Sequence, residues 1–377
     1  MRRRYFDWAA SAIPDHSLVQ EYFPFGNPSS IHKEGREASE ALESARSRCA
    51  ASLGVPPSSL YFTSGGTESN CIPLYSFLSR KNNAGIIASA SEHSSVTENL
   101  KKLQNFRKEI NYIPLDSSGR ITCENLKKTI EKNKNVRFAA IMAVNNEIGT
   151  VNDIKLLQSL LKTSEKPVFL HCDIVQAIGK VPVNLEDWGV DSASISAHKI
   201  GGPRGIGLLY LKKPIEVLYS GGGQEKGIRP GTENLEGALH LASCLEKYLQ
   251  EGHFNEEVYK AKKRWAILYD ELKKIDRCRF IPENRENNDE GFSPFILQAA
   301  FKDVPGEVMV RALDDLGFAV STGSACSSSS PERPVLAAMG IDENLRLEGI
   351  RISQGWSTSE EEIYLLVDAI KEVLKFL

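Results

Sequence analysis

The chain of 377 residues carries 46 Lys and Arg against 49 Asp and Glu, a net charge of −3. That balance gives no electrostatic ground for a nucleic-acid or anionic-membrane partner. Composition is ordinary for a globular protein, with 41% hydrophobic and 25% charged residues, and the length suggests about two domains. The opening Arg2-Arg3-Arg4 is not followed by an apolar stretch, and no run reaches the length of a bilayer span. Neither a secretory signal nor a membrane anchor is expected, and the cytoplasm is the expected compartment.

In chain order, a helix is predicted over 33–53, with Ala38, Ala41, Leu42, Ala45 and Cys49 forming one inward stripe. Apolar runs of strand length follow at 60–63, 85–90, 111–114, 138–144, 168–173, 193–196 and 207–211. Helical spacing occupies 67–80, 96–106, 124–132 and 153–162 between them. Strands alternating with helices imply an α/β domain with a mainly parallel sheet, and continuous apolar runs imply strands covered on both faces. After about residue 250 the pattern changes to charged amphipathic helix (254–274), a polar turn-rich stretch (283–290), then short strands and helices. The expected division is a large domain over 15–250 and a small one made of 1–14 and 251–377.

Seven scattered cysteines without a C-x-x-C pair argue against a disulfide framework and against a zinc site. Cys326 stands apart because it lies in Ser321-Thr322-Gly323-Ser324-Ala325-Cys326-Ser327, among small polar residues where a thiol is accessible as a nucleophile. An incidental loop thiol is the plainer reading.

Polar groups gather at predicted strand ends, where open α/β sheets bind ligands. Gly65-Gly66-Thr67 follows one strand and opens a helix, which suits an anion and equally a plain helix cap. His93 follows the second strand and could stack on an aromatic ring and shuttle protons, or be a loop histidine. Asn145 follows the strand at 138–144 and could donate to a phenolate oxygen. Asp173 ends the strand at 168–173 and could pair a pyridine nitrogen or cap the next helix. Lys199, in Ser196-Ala197-His198-Lys199-Ile200-Gly201-Gly202, follows the strand at 193–196. A lysine held there can form a Schiff base with an aldehyde cofactor, with Ser196 and His198 as phosphate donors. Arg351, in the apolar strand Gly349-Ile350-Arg351-Ile352-Ser353, needs a carboxylate, either a substrate's or one of the protein's own.

Taken together, these segments resemble the cysteine desulfurase family, within the class V aminotransferases of pyridoxal-phosphate fold type I. The resemblance runs from Tyr5-Phe6-Asp7 and Phe25-Gly26-Asn27-Pro28 through Glu92-His93, Asn145-Asn146-Glu147 and Asp173-Ile174-Val175-Gln176. It continues through Gly221-Gly222-Gly223-Gln224-Glu225 and Arg229-Pro230-Gly231-Thr232 to Gly323-Ser324-Ala325-Cys326 and Arg351. It implies a seven-stranded, mainly parallel large-domain sheet flanked by helices, plus a smaller α+β C-terminal domain. It also implies pyridoxal 5′-phosphate on Lys199, His93 over the ring, Asp173 at the ring nitrogen, and Asn145 and Gln176 at the ring oxygen. Gly66, Thr67, Ser196 and His198 would hold the phosphate, with Thr232 reaching it from the second subunit of a homodimer. Arg351 and Asn27 would hold the carboxylate of L-cysteine. Cys326 would take the sulfur as a persulfide, leaving L-alanine, and pass it to an acceptor such as an iron–sulfur cluster scaffold. A class V aminotransferase or selenocysteine lyase that does not need Cys326 is the alternative enzyme. A non-catalytic sulfur-carrier subunit is the alternative outside catalysis.

Overall fold

The computed structural model describes residues 3–19, 23–79, 84–287, 289–323 and 333–377; Cys326 lies outside them. The first elements are β1 (Arg4–Tyr5), α1 (Lys33–Leu53), β2 (Leu60–Thr63) and α2 (Gly66–Ser76). Then come β3 (Gly85–Ser89), α3 (Ser94–Asn105), β4 (Ile110–Ile113), α4 (Cys123–Lys132), β5 (Val136–Ala140) and α5 (Ile154–Leu161). Next are β6 (Phe169–Asp173), α6 (Leu185–Trp188), β7 (Ser192–Ser196), β8 (Gly207–Leu211), α7 (Leu235–Leu249) and α8 (Glu251–Lys273). The chain ends with β9 (Cys278–Ile281), β10 (Ile296–Phe301), α9 (Gly306–Asp315), β11 (Phe318–Ala319), α10 (Pro334–Ala338), α11 (Glu343–Glu348), β12 (Gly349–Ser353) and α12 (Glu360–Phe376).

Seven strands form one sheet in the order β2-β8-β7-β6-β5-β3-β4. Pairing is parallel from β7 through β6, β5 and β3 to β4, and antiparallel on both sides of β8. Alternate residues of one strand enter different cores. Ile87 and Ala139 pack with α1, α4, α5 and α7, whereas Ile86, Ala88, Phe138 and Ala140 pack with Leu74 and Phe77 and with Val96, Leu100 and Leu103 of α3. Both faces are therefore covered, which is why these strands read as unbroken apolar runs. The architecture is that of a fold type I α/β protein.

A separate apolar cluster gathers Trp265 and Leu268 of α8, Leu297 and Phe301 of β10, Met309 and Leu313 of α9, and Ile363, Leu366 and Ile370 of α12. Its sheet is antiparallel, β12-β10-β9. Phe6 belongs to this cluster, because β1 pairs with β11. From there the N-terminal segment crosses to the large sheet, where Ala12 N–H donates to His198 O and Asp15 N–H to Gly201 O, each at 2.8 Å.

One predicted strand is longer than the observed one. β5 ends at Ala140, although Ile141 to Val144 are all buried. Ile141 and Ala143 still donate to the carbonyls of His171 and Asp173, but Met142 N–H turns away to Glu92 Oε1 at 2.6 Å. Apolarity predicts burial there, and a side-chain acceptor ends the ladder.

Candidate active site

The C-terminal ends of β2, β3, β6 and β7 open onto a cleft of about 210 Å³. Its lining includes Gly66, Thr67, His93, Asp173, Gln176, Ser196, His198, Lys199 and Arg351. Seven segments scattered along the sequence thus converge, as the strand-end rule requires.

At one end lies the N-terminus of α2. Gly65 adopts φ 148° and no side chain caps the helix, so the first backbone N–H groups keep their capacity for a ligand. A Cβ on Gly66 would lie 2.9 Å from Val175 Cγ2, so that side chain would have to shift, while its 3.5 Å approach to Ser196 Cβ on β7 is ordinary contact. Thr67, Ser196 and His198 add side-chain donors around the same end. The His198 imidazole is brought down to about 4 by burial and by the Lys199, Arg204 and Lys180 charges, so it is neutral near pH 7.

The middle of the cleft is tied by side-chain hydrogen bonds. Asp173 is 5% exposed; its Oδ1 accepts from Val175 N–H at 2.9 Å and its Oδ2 from Asn70 Nδ2 at 2.8 Å. His93 caps α3, its Nδ1 accepting from Ser95 N–H at 3.1 Å, which leaves the ring proton on Nε2. Burial lowers this imidazole, the Lys199 charge lowers it further, and Asp173 opposes them. Lys199 ends a tight turn after β7, and its Nζ donates to Ala9 O at 2.7 Å and Ala10 O at 2.9 Å. Gln176 donates from Nε2 to Ala9 O and accepts at Oε1 from Lys180.

Arg351 is 1% exposed on β12. Its Nη2 donates to Asp7 Oδ1 at 2.7 Å and its Nη1 to Asn146 O at 2.9 Å, while Nε has no partner among the described residues. The internal carboxylate that sequence reasoning left open is therefore present, and the same guanidinium also forms a wall of the cleft. Ser321 bridges to Arg351, and Arg333 donates to the carbonyls of Thr322 and Gly349. Both described flanks of the segment that carries Cys326 thus abut the Arg351 strand.

Three expected positions do not line the cleft. Asn145 is committed elsewhere: Oδ1 accepts from Glu147 and Ile148 N–H, and Nδ2 donates to Ser91 O. The turn consumes its amide, and Asn146 forms the wall instead. Thr232 is exposed, and Asn27 is exposed with its Oδ1 accepting from Ser29 N–H.

A family model for aminotransferase class V matches residues 4–366. The cysteine desulfurase IscS of Dictyoglomus turgidum is 35% identical over 384 residues, covering 99% of this chain and 95% of that protein. The chain belongs to the class V aminotransferases, among the cysteine desulfurases. The cysteine desulfurase IscS of Rickettsia africae is 37% identical, with coverage of 97% and 90%. A solved NifS-like protein superposes with a TM-score of 0.90 at 34% identity over the whole of both chains. SspA in complex with cysteine superposes with a TM-score of 0.78 at 27% identity, covering 93% and 99%.

Against this family background, sequence reasoning missed Asn70, Ser95, Asn146 and His171. His171 had a usable signal: it stands two residues before Asp173 on one strand and so shares its face. Asn70 had one too, lying one helical turn beyond the Gly66-Thr67 turn on α2.

Proposed function

We propose that the chain is a pyridoxal 5′-phosphate-dependent cysteine desulfurase, and the observation that carries this is the convergence of Lys199, Asp173, His93 and the α2 N-terminus on one cleft. The donor set fits the cofactor. An uncapped helix N-terminus with Thr67, Ser196 and His198 suits a phosphate. A buried, doubly hydrogen-bonded carboxylate suits a pyridinium nitrogen, and a half-buried amine at a strand end suits an aldehyde. When bound, the cofactor supplies an electron sink for the bonds at the substrate α-carbon.

The residues then divide the work. Lys199 would hold the cofactor covalently, and its amine would move a proton at the substrate α-carbon. His93, neutral and with its proton on Nε2, stacks over the ring and serves as a proton donor. Gln176 offers its amide to the ring oxygen; Asn145 fixes the turn that brings Asn146 to the same wall. Arg351, a wall of the cleft, would hold the carboxylate of L-cysteine, and Asn27 would assist from the edge. Cys326, as a thiolate, would attack the substrate sulfur: an S–S bond forms, and the substrate C–S bond breaks with its electron pair passing to the β-carbon side, to be delocalised into the bound cofactor. Protonation of that carbon gives L-alanine, and Cys326 keeps the persulfide. The sulfur passes to an acceptor protein, for which an iron–sulfur cluster scaffold fits the IscS relatives. Thr232 lies outside the cleft and fits the role of phosphate donor to a second copy in a homodimer. The chain divides into 15–250, and 1–14 with 251–377. A reducing compartment, the cytoplasm, suits the free thiols of this chain.

The test combines two measurements. Borohydride reduction of the purified protein is expected to fix the cofactor mass on the peptide containing Lys199. Cys326→Ser is expected to abolish sulfide release from L-cysteine while leaving that labelling intact. Full cysteine turnover by Cys326→Ser would replace this reading with the lyase or aminotransferase one.

A further inference from the structure

Beneath the cleft, one amide joins the groups assigned to the cofactor. Asn70 is 1% exposed on α2 and makes three hydrogen bonds of 2.8 Å. Their directions are fixed by chemistry. Asp173 Oδ2 is an acceptor, so the amide nitrogen faces it and Oδ1 faces His171. His171 must then donate from Nε2, which leaves Nδ1 bare to accept from Ser192 Oγ–H at 2.8 Å. The second N–H of Asn70 goes to Ser95 Oγ, whose own proton is thereby directed to His93 Nδ1 at 2.8 Å. Reading outward from Ser192, every donor has one acceptor, and the His93 ring proton is left on Nε2.

We propose that Asn70 is a positioning residue: one buried amide, its direction set by the acceptor-only Asp173 carboxylate, orients that carboxylate and, through Ser95 Oγ, adds a second donor to His93 Nδ1 beside the Ser95 backbone N–H. The proposal rests on the reading of Asp173 and His93 as the groups that face the cofactor. Turning the amide over would place its oxygen against the carboxylate, so the orientation is enforced by Asp173, and His171 and Ser192 take the complementary roles. Burial brings His171 down to about 4, opposed by Asp173, which agrees with a neutral ring at this junction. The charged and titratable groups near the network are Asp173, His93 and Lys199 in the cleft and Glu92 behind Asp173. Buried Glu92 has its carboxyl pushed well above the usual range by desolvation and by Asp173, so it is neutral and does not compete for these donors.

The test is nitrogen-15 NMR of the histidine rings in the full chain without added cofactor, at pH 7. The wild type is expected to show both His171 and His93 neutral, protonated at Nε2 and bare at Nδ1. A His171 ring protonated at Nδ1, or charged, overturns the proposal whether or not any variant folds. In Asn70→Leu the Ser95 hydroxyl loses its donor and is no longer directed at His93, so the His93 Nδ1 signal is expected to shift while the backbone N–H of Ser95 keeps the ring proton on Nε2, and pyridoxal phosphate retention to weaken at least roughly tenfold, the cost of one charge-assisted hydrogen bond. Ser95→Ala cuts only the His93 arm and is expected to change the His93 ring signals while retaining more cofactor than Asn70→Leu. If Asn70→Leu lowers stability but leaves the His93 ring signals unmoved, Asn70 is structural only and the proposal falls. Failure of the wild type to bind pyridoxal phosphate would sink the functional reading and leave the ring measurement standing.

Discussion

Lys180 is an amine buried one step behind Lys199, with Gln176 Oε1 as its acceptor at 2.7 Å. Burial first, then the Lys199 and Arg351 charges, bring it down to about 7 from the usual 10.5. A depressed ammonium works against folding: the unfolded chain binds the proton below 10.5, the folded one only below 7. Stability linked to this group is thus complete above 10.5 and is lost as pH falls toward 7. Lys180→Met removes that penalty and leaves Gln176 Oε1 unpaired, at about 1–3 kcal/mol. Urea midpoints should show the variant gaining on the wild type between pH 9.5 and pH 6, and a constant difference across that range would refute the assignment. Nothing in the sequence distinguishes this lysine from a surface one, because it lies beside segments remote in sequence, such as those of Trp8, Tyr248 and Gln354. The pairing of Arg351 with Asp7 is hidden for the same reason, with 344 residues between the partners. The strand-end positions of His93, Asp173 and Lys199 were legible because each follows an apolar run directly. The choice between Asn145 and Asn146 was not, since which amide the turn consumes depends on the backbone.

At the level of elements, α1, β2 and β8 have the limits that periodicity and apolar runs predict, 33–53, 60–63 and 207–211. Each is bounded by a local signal: α1, for instance, stops where Gly54 takes φ 66°. Limits set by remote partners were not legible, as at the end of β5. An ion pair illustrates how elements are held. Arg46 of α1 donates to both oxygens of Glu225 at 2.7 and 2.8 Å, and Glu225 also accepts from Phe62 N–H of β2 at 2.7 Å. Both side chains are almost wholly buried. Cutting one partner leaves a buried charge alone, at a cost of about 3–5 kcal/mol. Arg46→Ala should lower the urea midpoint accordingly, and Arg46→Ala with Glu225→Ala should be less damaging than the single change. A double-variant loss equal to the sum of the two single-variant losses would show that the two residues are uncoupled. The bond also anchors the Gly221-to-Glu225 turn, from which the chain runs to Thr232.

For the whole molecule, acid should act in two stages. His171 and His198 are held near 4, below the unfolded 6.5, so both resist protonation in the fold. Their contribution is complete above 6.5 and is lost as pH falls toward 4, on the order of 3 kcal/mol for fully buried His171. Asp15 follows: burial would raise it, but hydrogen bonds from Lys247, Ser17 and Tyr248 bring it to about 2 from 3.8, so its share disappears between those values. Urea unfolding should therefore weaken from pH 6.5 to 4 and again below 3.8. A stability profile flat from pH 7 to 4 would contradict the histidine assignment.

The pairing of Arg4 with Phe318 and of Tyr5 with Ala319 joins the earliest part of the chain to some of the latest. During synthesis the opening strand leaves the ribosome long before its partner exists. The carbonyls of Ala9 and Ala10 that receive Lys199 belong to this same segment. Sequence separation this large makes closure slow. The catalytic centre is therefore expected to close late: a nascent chain halted before residue 318 should carry a finished sheet and an unfinished catalytic centre.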